Sequence, residues 1–554
     1  MPVAQRLTTA AAGLLLMAVT ALAPGIAASP GAAAAPAAAA GGAPPTHGTP
    51  VVATPTAPTA QPGPRTPTQR AAMAHALPKD PVAYAAQKAN ADARAHVLAP
   101  SSGSTASSGS SASVLQSWQG INDVDYSPSD STSSVGSTRF IEFVNSDFAI
   151  YDRSSSTPVS TGTLNSLSGA PTSSSVFDPQ IMWDPASQRF YYVMVEAVSA
   201  TQNNLRIGYS LTSTPSSAAD WCRLTYSYGS NFPDYPKLGD SADLVVVGTN
   251  VFTPRNTTRG DLIAWFKPPS GSTCTALNGS ADTGIVNADG SEAWTPVPAN
   301  DVEGAATDDV LAIPSGGGAY LSLFGVTDNG STISFSSART LTVPSYSVPA
   351  DVPQPSPATY PLDALDGRVT QAVEAVDPSQ SNQLAVWTQH TVFGGAGAEV
   401  RWYEINPTPA TPTVFQSGVE TSSSLFLFNA AISPDRRVNG TARQYGNAMA
   451  LGFNTGSSTQ AVDDRVVTKV GTGTMSGIVV VNSSTGPLSD GGCNTSEHPG
   501  VCRWGDYSGA SPDPSSDTSQ SQGVVWFTNA YSVPHTGAFS DYRTWNWTVR
   551  PAPK

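Results

Sequence analysis

The chain has 554 residues, only 12% of them charged, with 48 glycines and 47 prolines; so little charge and so many turn formers exclude a helical bundle and indicate strands joined by loops. Its 27 basic and 41 acidic residues leave a formal charge of −14, which argues against nucleic acid as a partner, because a phosphate backbone is bound through Lys and Arg. Beyond the N-terminus no stretch approaches the about 18 continuous apolar residues of a membrane span, so none is expected.

Residues 1–28 read as a secretory signal: Arg6 supplies the positive start, 10–23 the apolar run, and Gly25-Ile26-Ala27-Ala28 the small residues for cleavage. A secreted, extracellular, monomeric protein is expected. Residues 29–113 are dominated by Ala, Pro, Thr, Ser and Gly and read as a disordered linker, with one short helix in the Ala-rich 81–98. The folded body spans 114–550.

Within the body the apolar pattern is that of short strands at 139–144, 205–209, 262–266, 319–324, 383–388, 400–405, 448–453 and 477–481, bounded by Ser, Asn, Asp, Gly or Pro. A degenerate repeat organises them. An acidic or aromatic corner opens a strand, an Asp-Pro type of turn follows (Trp183-Asp184-Pro185, Asp377-Pro378, Pro434-Asp435, Asp513-Pro514), and a Val-rich or aromatic strand returns. Units begin near Ser129-Asp130, Asp178-Pro179, Asp234-Tyr235, Asp301-Val302-Glu303, Asp366-Gly367-Arg368, Phe428-Asn429 and Asp506-Tyr507. Roughly 60 residues per unit is long but suits a four-stranded blade with extended loops, so the expected fold is an all-β propeller of seven blades. Six remain open, because the units at Asp130 and Glu303 are the weakest. Closure should pair 114–118 with 542–549.

An exported chain permits disulfides, and closure between near neighbours pairs Cys222 with Cys274 and Cys493 with Cys502. No cysteine spacing suits zinc. No cofactor is expected; a structural calcium could sit only at the oxygen-rich Asp123-Val124-Asp125-Tyr126-Ser127 and Asn287-Ala288-Asp289-Gly290-Ser291-Glu292, both of which turn chemistry also explains. Hydrolase elbows, zinc-protease motifs and phosphate loops are missing.

If each repeated acid opens the innermost strand of its blade, then Asp178, Asp234, Glu303, Asp366 and Asp506 converge on one mouth of the central channel. They are the candidate catalytic carboxylates for glycoside cleavage, with one pKa raised by crowding. Trp504, Tyr507 and Tyr235 could stack on sugar rings, and Arg503 and Arg368 could pair with acidic sugars. The competing reading is architectural: an Asp recurring in every blade caps turns or accepts backbone N–H groups. His390, after a core-like strand, reads as structural.

Taken as a set, Asp178-Pro179-Gln180 with Trp183-Asp184, Asp234-Tyr235-Pro236-Lys237-Leu238-Gly239 and Arg503-Trp504-Gly505-Asp506-Tyr507-Ser508-Gly509 resemble a group of secreted bacterial, sialidase-like β-propeller proteins. The resemblance covers most of 114–550. It implies the fold and export, and carries no catalytic residue. A sialidase Asp-box is not completed here, since Ser280-Ala281-Asp282-Thr283-Gly284 is followed by Ile285. The expected function is recognition of an extracellular polymer, most readily a polysaccharide or glycan, at the channel mouth. The alternatives are a carbohydrate-active hydrolase and a protein-docking scaffold.

Overall fold

The computed structural model describes residues 46–56, 80–97, 111–122, 126–255, 257–496, 498–534 and 542–552. The expected signal, much of 29–113 and Asp123-Val124-Asp125 lie outside the described residues.

Seven antiparallel sheets follow one another in chain order. Their innermost strands are Thr132–Val135, Ser175–Asp184, Phe232–Asp240, Ala293–Pro298, Val369–Asp377, Phe426–Pro434 and Gly509–Pro512. Each innermost strand lies against the next, and the seventh against the first. The fold is therefore a seven-bladed β-propeller. The ring closes as expected: Ser113–Gln119 runs antiparallel to Tyr542–Arg550, so the start of the body supplies the outermost strand of the last blade.

A separate apolar cluster fills each of the seven blade interfaces. Because blades pack on both faces, their inner strands are apolar runs rather than alternating ones; Leu244-Val245-Val246-Val247 is buried throughout. Both expected disulfides form, Cys222–Cys274 and Cys493–Cys502. No helix among the described residues is long and apolar enough to cross a membrane.

Two segments inside the expected linker have regular structure. Thr49–Pro55 pairs with Leu277–Ile285 and with Trp221–Gly229, joining the second and third blades into one nine-stranded sheet. Thr46–His47 pairs with Ile333–Phe335 of the fourth blade. The composition cannot build a core of its own, but here Ala53 is fully buried and Val51 packs on a core the propeller has already made. The other segment is α1 (Pro81–Val97), described below.

The repeat has a backbone basis. Asp178, Tyr235, Thr295 and Asn429 have left-handed φ of 51°, 54°, 51° and 46°, and at each the ladder to the second strand slips. Three precede proline: Asp178-Pro179, Tyr235-Pro236 and Thr295-Pro296. Non-glycine residues hold that conformation only where surroundings enforce it. Here the neighbouring blade does so. Asp178 N donates to Asn145 Oδ1 at 2.8 Å, Tyr235 N to Asp178 Oδ2 at 3.2 Å, and Thr295 N to Asn250 Oδ1 at 2.8 Å. Trp294 Nε1 then donates to Asp366 Oδ2 at 2.8 Å, Thr370 Oγ1 to Ala430 O at 3.2 Å, Asn429 Nδ2 to Asn529 Oδ1 at 2.8 Å, and Asp506 N to Asp130 Oδ1 at 2.7 Å. Every seam between blades is thus crossed at one level of the ring.

At the other end of the inner strands a second set of acids caps turns. Asp184 accepts from Ala186 N, Asp377 from Ser379 N, Asp435 from Gly446 N and Asp513 from Ser515 N, at 2.9, 2.6, 2.8 and 2.7 Å.

The unit start expected at Asp301-Glu303 is misplaced. The fourth blade begins at Trp294-Thr295-Pro296, and Asp301 follows its inner strand, at the turn end, where it accepts from Glu303 N at 2.7 Å. Acidity misled there; the signal shared with the second and third blades was a left-handed residue directly before proline.

Replacing Asn145 with Leu leaves Asp178 N, Pro128 O and Asp130 Oδ2 without a partner they now have. The expected loss is about 2–4 kcal/mol, read as a lower urea midpoint at unchanged slope.

Candidate functional site

Asp178, Asp234, Asp366 and Asp506, with Asp130, surround one end of the channel, together with Arg368, Arg503, Lys237, Tyr235, Tyr507 and Trp504. All are buried. Arg368 holds Asp366 through two hydrogen bonds of 2.7 Å, and Arg503 reaches Asp506 Oδ2 at 3.2 Å. The rings of Tyr235 and Tyr507 stack with centroids 4.9 Å apart. Lys237 Nζ lies 3.9 Å from the Tyr507 centroid and 4.4 Å from that of Tyr235, whose ring Arg368 also faces at 4.4 Å. Trp504 donates to Asn454 Oδ1 at 2.9 Å.

Burial shapes the titration of this hub. It pushes Asp130 up to about 7, helped by the charge of Asp506 and opposed by Arg503. It pushes Asp178 up to about 7, helped by Asp234 and Asp506. Lys237 is held well below the usual lysine range by burial, and Arg368 adds to the effect. The Tyr235 and Tyr507 hydroxyls are driven upward by burial.

The hub's acids have structural work. Asp130 and Asp178 hold backbone amides across seams, and Asp366 takes both an indole and a guanidinium. The aromatic and arginine residues expected to touch a polymer are enclosed with them. Glu303 is elsewhere: it belongs to the opposite mouth, where it pairs with Arg436 and with Arg443 at 2.7 Å and accepts from Val376 N at 3.2 Å. It misses the hub for the reason given above: its chain position follows an inner strand rather than opening one. The hairpin Arg437–Asn439 and Ala442–Gln444 seats Val438 against Val302 and Ala375 at that mouth.

α1 covers the hub side. Asp80 caps it, accepting from Ala83 N at 2.9 Å, and Pro81 opens the first turn. Helical spacing puts Tyr84, Lys88, Ala91 and Ala95 on one face. Lys88 Nζ reaches Asp351 at 2.5 Å and Asp363 at 3.2 Å. Asp92 Oδ1 accepts from Asp351 N at 2.8 Å, and Arg94 sits 3.8 Å over the Phe393 ring. Ala91 joins Val352, Leu362, Phe428, Trp504 and Tyr542 in one apolar cluster.

Beside α1 lies an open groove of about 650 Å³. Its lining includes the rings of Tyr360 and Phe426 and the polar side chains of Asp92, Asp351, Gln354 and Thr459. None of these was singled out in the sequence; Tyr360 sits in a Pro- and Ala-rich loop with no motif around it. Burial raises Asp351 to about 6, against the pull of Lys88.

The remaining candidates serve the frame. Asn287 Nδ2 bonds Ser291 Oγ at 2.9 Å and Glu292 O at 2.8 Å, while Asp289 accepts from Ser291 N at 2.9 Å. Among the described residues no group of three His, Cys, Asp or Glu is placed to hold a metal ion. His390 bonds Gly367 O at 3.0 Å and Tyr403 at 3.2 Å, and burial holds its pKa down at about 3, so it is neutral.

No family model matches the chain, and no curated protein matches it. Among solved structures it is similar to the WD40 domain of SCAP from fission yeast, at 8% identity and a TM-score of 0.30, over 75% of this chain and 82% of that one. An exo-β-1,3-galactanase from Clostridium thermocellum gives 11% identity and 0.29, over 64% and 77%. One from Phanerochaete chrysosporium, solved with β-1,3-galactotriose, gives 11% and 0.26, over 76% and 91%.

Several carboxylates besides the hub pair have raised pKa values, among them Asp435 at about 6 and Asp464 at about 8, both through burial. A folded-state pKa above the unfolded value of about 4 contributes stability that is full at low pH and lost as pH rises through the folded value. The melting temperature is therefore expected to be higher at pH 5.5 than at pH 8.5. Asp178→Asn, which keeps an acceptor for Tyr235 N, should flatten that slope in a differential scanning calorimetry series.

Proposed function

We propose that this protein is a secreted, monomeric β-propeller that binds an extracellular glycan in the groove beside α1. The observation that carries the reading is the lining of that groove. The half-buried Tyr360 ring, beside the buried Phe426, offers flat apolar surface, as the C–H face of a sugar requires, and the Asp92 and Asp351 carboxylates and the Thr459 hydroxyl offer polar groups for its rim. The volume falls within the range of ordinary ligand sites, about 300–1,000 Å³. The hub is a poor alternative because its Tyr, Trp and Arg side chains are enclosed and mutually committed. The groove contains no Arg or Lys among its lining residues, which favours neutral over acidic sugars. The two disulfides suit an oxidising compartment, and the resemblance to sialidase-like propellers adds export to the reading.

A hydrolase is the second reading, favoured by one feature. Asp92 and Asp351 line the same groove, and Asp351, near 6, would hold a proton at mildly acidic pH.

A polysaccharide panel probed by affinity electrophoresis should show retardation by a neutral polymer. Tyr360→Ala should weaken binding about tenfold or more, the equivalent of ~1.4 kcal/mol, without lowering the melting temperature. Unchanged affinity in Tyr360→Ala removes the groove as the site. Release of reducing ends that Asp351→Asn abolishes would select the hydrolase.

A further inference from the structure

The groove beside α1 is charged on one side only. Of its lining residues Asp92 and Asp351 alone are ionisable, and both are acidic. They stand together: Asp92 Oδ1 accepts from Asp351 N at 2.8 Å. Burial raises the Asp351 carboxyl, and the charges of Asp363 and Asp92 add to the effect. Lys88 does not neutralise both. Its Nζ is shared between Asp351 at 2.5 Å and Asp363 at 3.2 Å, and it is buried outside the groove lining. Among the described residues no ion pair reaches Asp92, which is half-buried.

The fold itself shows what such a carboxylate takes. At Asp351 the partner is a primary ammonium at hydrogen-bond distance. Asp92 offers the same group to the open side, with Oδ1 alone engaged among the described residues. A divalent cation suits it poorly, because calcium takes about six to eight oxygen ligands, and no group of three His, Cys, Asp or Glu among the described residues is placed to hold a metal ion. The Gln354 amide is committed elsewhere, accepting from Leu488 N at 2.8 Å and donating to Tyr360 O at 2.9 Å. For a sugar seated on the Tyr360 ring, Asp92 is therefore the charged acceptor left at the rim.

We infer that the groove selects glycans bearing free primary amines, such as unacetylated hexosamine units, and that Asp92 sets the preference. This rests on the groove being the glycan site and narrows what the groove takes. A hydroxyl at the same ring position also donates to a carboxylate, but an ammonium brings charge to the bond, and charge-assisted hydrogen bonds are about twice as strong. An acetylated amine loses that charge. Asp351 holds α1 in place through Lys88 and thereby fixes where Asp92 stands.

The test titrates the full chain, at pH 6, with pentasaccharides of one linkage built from glucosamine, N-acetylglucosamine or glucose. The glucosamine pentamer should bind about tenfold more tightly than either neutral one. Asp92→Asn, which keeps an acceptor for Asp351 N, should bring the affinities to within about twofold of one another by weakening the glucosamine pentamer alone. The chain's formal charge of −14 attracts any polycation, so a preference retained in Asp92→Asn is that bulk effect and overturns the assignment. Equal affinities in the wild type, or binding of a neutral pentamer alone, overturn the preference and leave the groove standing as a glycan site. Binding of none overturns the preference too, while Tyr360→Ala on the polymer panel decides the groove separately. Should Asp92→Asn lower the melting temperature, Ser458→Lys replaces it, at an exposed position of the groove lining. The added cation should weaken the glucosamine pentamer about fivefold and spare the neutral ones; an unaltered ratio overturns the preference.

Discussion

One hydrogen-bonded circuit holds this propeller in register. At a single level of the ring, a side chain or amide of each blade bonds across the seam to its neighbour, from Asn145–Asp178 round to Asp506–Asp130. The left-handed corners that feed this circuit are unfavourable on their own. They also turn the corner amide out of its own ladder and toward the next blade. Strain in one blade is thereby converted into an attachment between two.

The same circuit gives the most conspicuous acids structural work. Asp130, Asp178 and Asp366 spend their oxygens on amides, an indole and a guanidinium. The cations and rings beside them fill the volume that remains. Open space lies instead outside the ring, between loops that the circuit fixes without occupying. The groove at Tyr360 is such a place, walled by α1 on one side and by the loops of the fifth and sixth blades on the other.

Much of the fold was legible because two-faced packing writes itself as Val-rich and aromatic runs, and because turn-capping acids such as Asp184, Asp377, Asp435 and Asp513 recur at corresponding points. The closing strand was legible for a similar reason: an aromatic, alternating segment at each end of the body has no other partner. The fourth blade was misread since its corner residue is Thr295, while a nearby acid, Asp301, does a different job. The hub was found by its acids, and four of the five came together. Its interior was not foreseen, because enclosure depends on α1, whose contacts to Asp351 and Asp363 cross more than 250 residues of sequence. The groove left no mark at all, being a gap between loops whose composition is that of any surface connection.

The strand at Thr49–Pro55 finds its partners in Trp221–Gly229 and Leu277–Ile285, and the strand at Ser113–Gln119 finds its own only in Tyr542–Arg550. During synthesis, therefore, Thr49–Pro55 waits until Leu277–Ile285 has been made, and Ser113–Gln119 waits for Tyr542–Arg550. Contacts of such long range slow the folding step. Losing Tyr542–Arg550 would open the seventh blade and return two strand edges to solvent. The ring is thus a clasp that the strand Tyr542–Arg550 fastens last.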